Sequence, residues 1–334
     1  DGRVTGGPMY YLEKGLDLRG LKRLGRTLAV LFAMLCIGGA LGGGNMFQSN
    51  QTIEALGVVS PIFKTYNWLF GLILAAMVGA VIIGGIQRIA SVTSRLVPTM
   101  CILYVLSALF IILSNIGDVP AMFVLIFSQA FSGQAVEGGI LGIAIIGITR
   151  AAFSNEAGIG SAAIAHAAAK TEEPAREGIV AMIGPFIDTI VICTMTALVV
   201  LLTGVYKDPN LQGKGAEMTA TAFGSVIPGA EIALAIIICL FAYSTMISWE
   251  YYGERAWEYL FGGGSLLIFR LLFILFVWIG AVSQLANVIS FSDLMILSMA
   301  FPNIIGGIIL SPLIKEKLQE YWTRLRRGEM RRFK

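Results

Sequence analysis

Ala152-Phe153-Ser154-Asn155-Glu156-Ala157-Gly158-Ile159-Gly160-Ser161 interrupts a hydrophobic run that extends from Ile140 to about Ala168. The flanks are apolar, whereas the centre is polar and carries glycines at 158 and 160. In hydrocarbon, backbone N–H and C=O groups have no water to bond. Non-helical chain at membrane depth therefore survives only against protein or a water-filled cavity. Carriers of small solutes use such interrupted helices to build a site near the middle of the bilayer. The stretch implies a polytopic membrane protein that moves a small polar solute. Gly158 and Gly160 let the chain leave helical geometry, and Ser161 is expected to cap the helix that restarts through Ala162–Ala169. A half-helix N-terminus there would offer free N–H groups and positive partial charge to a carboxylate. Glu156 reads either as the partner of a cation or ammonium group, or as a structural partner of Arg150.

Composition agrees with a membrane setting. Hydrophobic residues make up 56% of the 334-residue chain and charged residues 13%, with a mean hydropathy of +0.79. A soluble domain carries about 25% charged residues, so most of this surface faces lipid. No long polar segment remains that could form a soluble enzyme on a single anchor. Cys36, Cys101, Cys193 and Cys239 all fall within apolar runs and read as buried free thiols, not as a disulfide framework or metal cluster. His166 is the only histidine, and it reads as a packed or hydrogen-bonded residue in an alanine-rich helix. Neither a metal-site pattern nor an organic cofactor is expected, and no nucleophile–base spacing points to an enzyme. Residue 1 is Asp, and the expectation is that the chain is part of a longer protein.

About 17–25 predominantly apolar residues cross a bilayer as a helix. Eight segments meet that requirement: Leu28–Phe47, Tyr66–Gly85, Leu96–Leu113, the broken run from Ile140, Ile179–Leu202, Ala230–Ser248, Leu266–Leu285 and Leu294–Ile314. The predicted fold is therefore all-α. Ala121–Phe131 is too short to span and is expected to lie along the interface or re-enter. Pro61, Asp118-Val119-Pro120, Pro174, Asp208-Pro209 and Gly262-Gly263-Gly264 punctuate the connections. Lys and Arg set the orientation. Six precede the first span, eight follow Ile314, and Arg88, Arg95, Lys170, Arg176 and Arg255 lie on the same face, against Lys64, Lys207 and Lys214 on the other. That asymmetry of 19 to 3 puts both termini of this chain in the cytoplasm. The basic tail with Arg324, Arg326, Arg327, Arg331 and Arg332 reads as an anchor near anionic lipid, with no nucleic-acid partner.

Polar groups inside spans are costly and so mark sites. On the first span Gly38, Gly42, Asn45, Ser49 and Thr52 recur at helical spacing and are expected to share one face, with Gln48 and Gln51 beside it. Glycines there would admit a neighbouring helix, while the amides supply donors and acceptors. In Ala242-Tyr243-Ser244-Thr245-Met246-Ile247-Ser248-Trp249 the adjacent hydroxyls of Ser244 and Thr245 could offer oxygens to a hard cation. Equally, they could bond carbonyls one turn back along their own helix. Trp249 could wall a small pocket or join an interfacial aromatic belt. Asp188, among Thr189, Thr194 and Thr196, reads as a gate or as a structural acceptor.

Taken together, Asn155-Glu156-Ala157-Gly158-Ile159-Gly160-Ser161 with His166, Gly184-Pro185-Phe186-Ile187-Asp188-Thr189 through Cys193-Thr194, Gly6-Gly7-Pro8-Met9-Tyr10-Tyr11 and Gly44-Asn45-Met46-Phe47-Gln48-Ser49-Asn50-Gln51 resemble the alanine or glycine:cation symporter family. The resemblance runs from residue 2 to about residue 315. It implies a leucine-transporter-like fold of two inverted five-helix repeats and Na⁺-coupled uptake of alanine or glycine across the plasma membrane by alternating access. On that reading residues 1–26 are a cytoplasmic segment, 27–131 the remainder of a first repeat, 132–314 the second repeat and 315–334 a basic cytoplasmic tail. Family members look like eleven-span proteins, so the chain is expected to lack the first three spans. By motif, Ser244 and Thr245 resemble the hydroxyl pair of the family's sodium site. The same resemblance puts Phe153, Ser154 and Asn155 at the substrate's side, with Gln48, Gln51 and Trp249 around the pocket. Alternatives are a non-transporting remnant of such a symporter and an H⁺-coupled carrier of the same fold.

Overall fold

A computed structural model describes residues 5–130, 140–169 and 171–330. Phe131, Lys170, Arg331 and Arg332, and the 131/132 boundary between the expected repeats, lie outside the described residues. Among the described residues all regular structure is helical. A short amphipathic helix, α1 (Pro8–Asp17), leads into α2 (Lys22–Val59), and α3 (Asn67–Ile82), α4 (Gly85–Ser114) and α5 (Val119–Ala130) follow. After the undescribed segment come α6 (Ile140–Asn155), α7 (Ala162–His166) and α8 (Pro174–Thr203). The chain closes with α9 (Gly215–Gly224), α10 (Ala230–Phe261), α11 (Leu266–Val282) and α12 (Leu285–Arg326).

Six described helices are long and apolar enough to cross a membrane: α2, the Arg88–Ser114 part of α4, α8, α10, α11 with the turn before it, and α12. The other expected spans are shorter as helices. α3 has 16 residues and α6 has 16, while the run around Ala121, expected to be too short to span, forms the 12-residue α5. Several helices also outrun their apolar stretch, because an α-helix satisfies its backbone internally and continues into polar sequence. The first span extends to Val59 and the last to Arg326.

Two apolar cores share α10. The first joins α1, α2, α3, α10, α11 and α12 around Phe32, Trp249, Phe269, Phe273 and Met299. The second joins α4, α8, α9 and α10 around Tyr104, Leu198, Phe223 and Leu234. Lipid offers little hydrophobic drive between helices, so close contact of small residues carries the packing. A Cβ on Gly253 of α10 would lie 2.8 Å from the Cβ of Ala40 on α2. Outside, Ile145, Ile146 and Ile148 of α6 and Ile102 and Leu106 of α4 are exposed, as suits a lipid-facing surface.

One expectation fails for a geometric reason. Residues Gly42–Met46 of α2 form a π-helical turn, and that extra residue per turn rotates the remainder of the helix. Gly38 and Gly42 accordingly meet Met295, Phe291 and Ser292 of α12. Asn45 donates to the carbonyl of Phe273 (2.7 Å) on α11 and Asn50 to that of Ser283 (2.8 Å) just after it, while Ser49 abuts Gly280. The spaced residues thus serve two neighbours instead of sharing one face. The cysteines also differ from expectation. All are free, but only Cys36 is fully buried.

Candidate functional site

The interruption in the sequence is an interruption in the chain. α6 stops at Asn155, and its side-chain oxygen accepts from the Ala157 amide (2.8 Å), closing a turn. Glu156 then adopts φ 57°, with Gly158 at 81° and Gly160 at 96°. Left-handed geometry costs a non-glycine residue on the order of 1 kcal/mol. Glu156 is held there by its side chain: the Trp249 indole donates to one carboxylate oxygen (2.9 Å) and the fully buried Ser161 hydroxyl to the other.

Three expectations are corrected by this arrangement. Ser161 makes no capping bond to α7, because its hydroxyl is committed to Glu156. α7 is only 5 residues long, so it supplies no half-helix N-terminus for a carboxylate. Arg150 does not pair with Glu156, since it grips Asp293 of α12 through both terminal nitrogens (2.5 and 3.2 Å).

Around the break the structure brings together Phe153, Trp249 and the glycine turn of α2. A Cβ on Gly44 would sit 2.4 Å from the Cβ of Trp249, and one on Gly43 3.2 Å from the Phe153 ring and 2.2 Å from Ile296. Phe47 meets Phe153 edge to face at 5.4 Å. Trp249 is 4% exposed, so it belongs to the interior and not to an interfacial belt. Gln48 donates to the carbonyl of Gly43 (3.0 Å) inside the wide turn, and Gln51 to Asn50 (3.4 Å). Asn45, fully buried, leaves its side-chain oxygen without a hydrogen-bond partner among the described residues.

The remaining expected residues lie elsewhere or are already engaged. Ser154 donates to Asp188 of α8 (2.5 Å) and Asn155 to Thr189 (2.7 Å). Those two side chains therefore staple the end of α6 to the π-helical part of α8, Phe186–Cys193, and Asp188 acts as an acceptor there. Ser244 donates to the carbonyl of Phe241 (2.9 Å), the local bonding that a mid-helix serine often adopts. The hydroxyl of Thr245, a half-buried residue within α10, has no side-chain hydrogen-bond partner among the described residues. α2 and α10 run antiparallel, with Cys36 against Tyr252 and Gly44 against Trp249. The hydroxyl pair thus lies one turn from Trp249.

A cleft of about 550 Å³ opens beside the break, lined by Ser154, Asn155, Gly158, Asp188, Tyr252 and Asn303 among others. His166 contacts it and pairs with Glu177 (2.6 Å), as a hydrogen-bonded residue should. Two residues to which the sequence assigned no site role organise this cleft. Asn303 donates to the carbonyl of Gly158 (2.7 Å) and accepts from the Tyr11 hydroxyl of α1. The signal for Asn303 was Pro302-Asn303, a polar interruption inside an apolar run. Nothing local in the sequence marks Tyr11 as its partner.

Against known proteins, the sodium:alanine symporter family matches this chain over residues 1–334. The sodium/alanine symporter AgcS of Methanococcus maripaludis is 41% identical over 331 residues, covering 98% of this chain and 72% of that protein. An uncharacterized transporter of Haemophilus influenzae is 40% identical over 98% of this chain and 71% of its own length. The probable sodium/glutamine symporter GlnT of Bacillus subtilis is 35% identical over 97% of this chain and 66% of its own length.

Proposed function

This chain belongs to the sodium:alanine symporter family, and on that premise we propose that it carries a small neutral amino acid, alanine or glycine, inward across the cell membrane together with Na⁺. The observation that carries the reading is the break at Glu156–Ser161, locked by Trp249 and faced by Phe153 and the glycine turn. An unwound segment of this kind leaves main-chain groups free to hold a zwitterion at membrane depth. Phe153 and Trp249 are bulky walls, which favours an alanine-sized side chain over a glutamine-sized one. Rocking of the helix bundle around that fixed site would expose it to each side in turn.

For the cation, Thr245 offers a hydroxyl with no protein partner among the described residues. Ser244 donates its proton to Phe241, which leaves its oxygen lone pairs available. Hard cations take oxygen ligands. The test is uptake of labelled alanine by the purified chain in liposomes, driven by an imposed Na⁺ gradient. Ser244→Ala with Thr245→Ala should weaken Na⁺ activation by roughly tenfold or more, the equivalent of about 1.4 kcal/mol. Unchanged Na⁺ dependence in that double variant removes the cation assignment. Uptake driven by a pH gradient without Na⁺ replaces it with H⁺ coupling, and absence of any driven uptake overturns the transport reading.

A further inference from the structure

Glu250 follows Trp249 on α10, but its carboxylate lies nearest Arg270 of α11, whereas the Trp249 indole reaches Glu156 at the break. It is 1% exposed, and one of its carboxylate oxygens receives no hydrogen bond among the described residues. The cation nearest that oxygen is the Nε of Arg270, at 3.7 Å. That guanidinium is committed elsewhere: it binds Glu254 through Nε (2.8 Å) and a terminal nitrogen (2.6 Å). Glu254 also takes Arg255 (2.5 Å), and the other end of Arg255 takes Glu258 (2.5 Å). Three carboxylates one turn apart on α10 thus share two guanidiniums, and Glu250 is the one left over.

The charged groups acting on Glu250 are Glu254 and Arg255 on its own helix and Arg270 on α11. α2 packs on this part of α10 through Ala40, against Gly253, and through the Cys36 thiol, which donates to the Tyr252 carbonyl. Neither brings a positive charge. A carboxylate buried without a donor is costly, and such a group neutralises by binding a proton instead. We propose that Glu250 is a proton-binding site of this protein, loaded from solvent and retained while α10 and α11 stay packed as seen. The proton would leave when movement of α10 lets water or a guanidinium reach the freed oxygen. Because Trp249 is the preceding residue on the same helix and holds the break, displacement of that helix would act on both at once.

The test needs neither substrate nor Na⁺, so its outcome is separate from that of the uptake assay. Infrared spectra of the purified full chain at neutral pH should contain a carboxylic-acid C=O stretch that shifts in D₂O. Glu250→Gln should abolish that band, whereas Glu173→Gln, at a carboxylate that pairs with Arg324 away from this cluster, should leave it. Glu250→Gln should also melt at or above the wild-type temperature, since an amide replaces a neutral acid without loss of charge. A wild-type protein without the band, or a band that survives Glu250→Gln, overturns the proposal. A Glu250→Gln protein that fails to fold or melts lower overturns it equally, since that is the outcome for an ionised Glu250 pairing with Arg270.

Discussion

Glu156 shows how a residue can hold an unfavourable backbone at membrane depth. Its left-handed φ of 57° persists because its two carboxylate oxygens are gripped by Trp249 and Ser161. Hydrogen bonds to a charged group contribute about 1.5–3 kcal/mol, enough to outweigh the conformational cost. Trp249→Phe keeps an aromatic ring but removes the indole donor, so it should lower stability by about that amount in thermal melts and slow uptake. A variant that melts like wild type would show that the break does not depend on this bond. At Gly44 the constraint is steric, since an added Cβ would meet the Trp249 Cβ at 2.4 Å. Gly44→Ala should cost roughly 1–3 kcal/mol through overpacking, again read by melting. The break itself was legible, because a helix that merely faces lipid has no use for polar residues and paired glycines. Its partners were not. Arg150, close in sequence, was the natural candidate for Glu156, yet it binds Asp293, 143 residues away, and Glu156 binds Trp249, 93 residues away.

At the scale of elements, run length located the long helices, because a spanning helix must be apolar over about twenty residues. What hydropathy does not register is one additional residue in a turn. The π segment at Gly42–Met46 is therefore invisible to it, and the predicted single face of α2 became two. Three glycines and an asparagine suit such a turn, since no bulky side chains enforce α-helical spacing. Likewise, α1 read only as a cytoplasmic segment, whereas its Tyr11 reaches Asn303 of α12, which in turn holds the Gly158 carbonyl. Tyr11→Phe and Asn303→Ala should each loosen this chain of contacts and open the cleft. A cysteine at Ala163, which lines the cleft, should then react faster with a water-soluble thiol reagent than in the parent. Equal rates would mean that α1 does not close that entrance.

For the whole molecule, family membership and six long apolar helices place the chain in a membrane as a multi-pass protein. The orientation proposed from the 19-to-3 distribution of Lys and Arg is open to test by labelling. Cysteines introduced at Lys22 and Lys317 should react with an impermeant reagent only from the cytoplasmic side, and one at Lys207 only from the opposite side. Reaction of all three from one side would refute that topology. The site reading rests on one structural claim, that the unwound segment after α6 lines the path of the solute. Ala157, exposed on that segment and facing the cleft, offers the most direct probe. In a protein otherwise free of cysteine, Ala157→Cys should be modified severalfold more slowly when alanine and Na⁺ are both present than with either alone. A modification rate indifferent to alanine and Na⁺, in a variant that still takes up alanine, would contradict it.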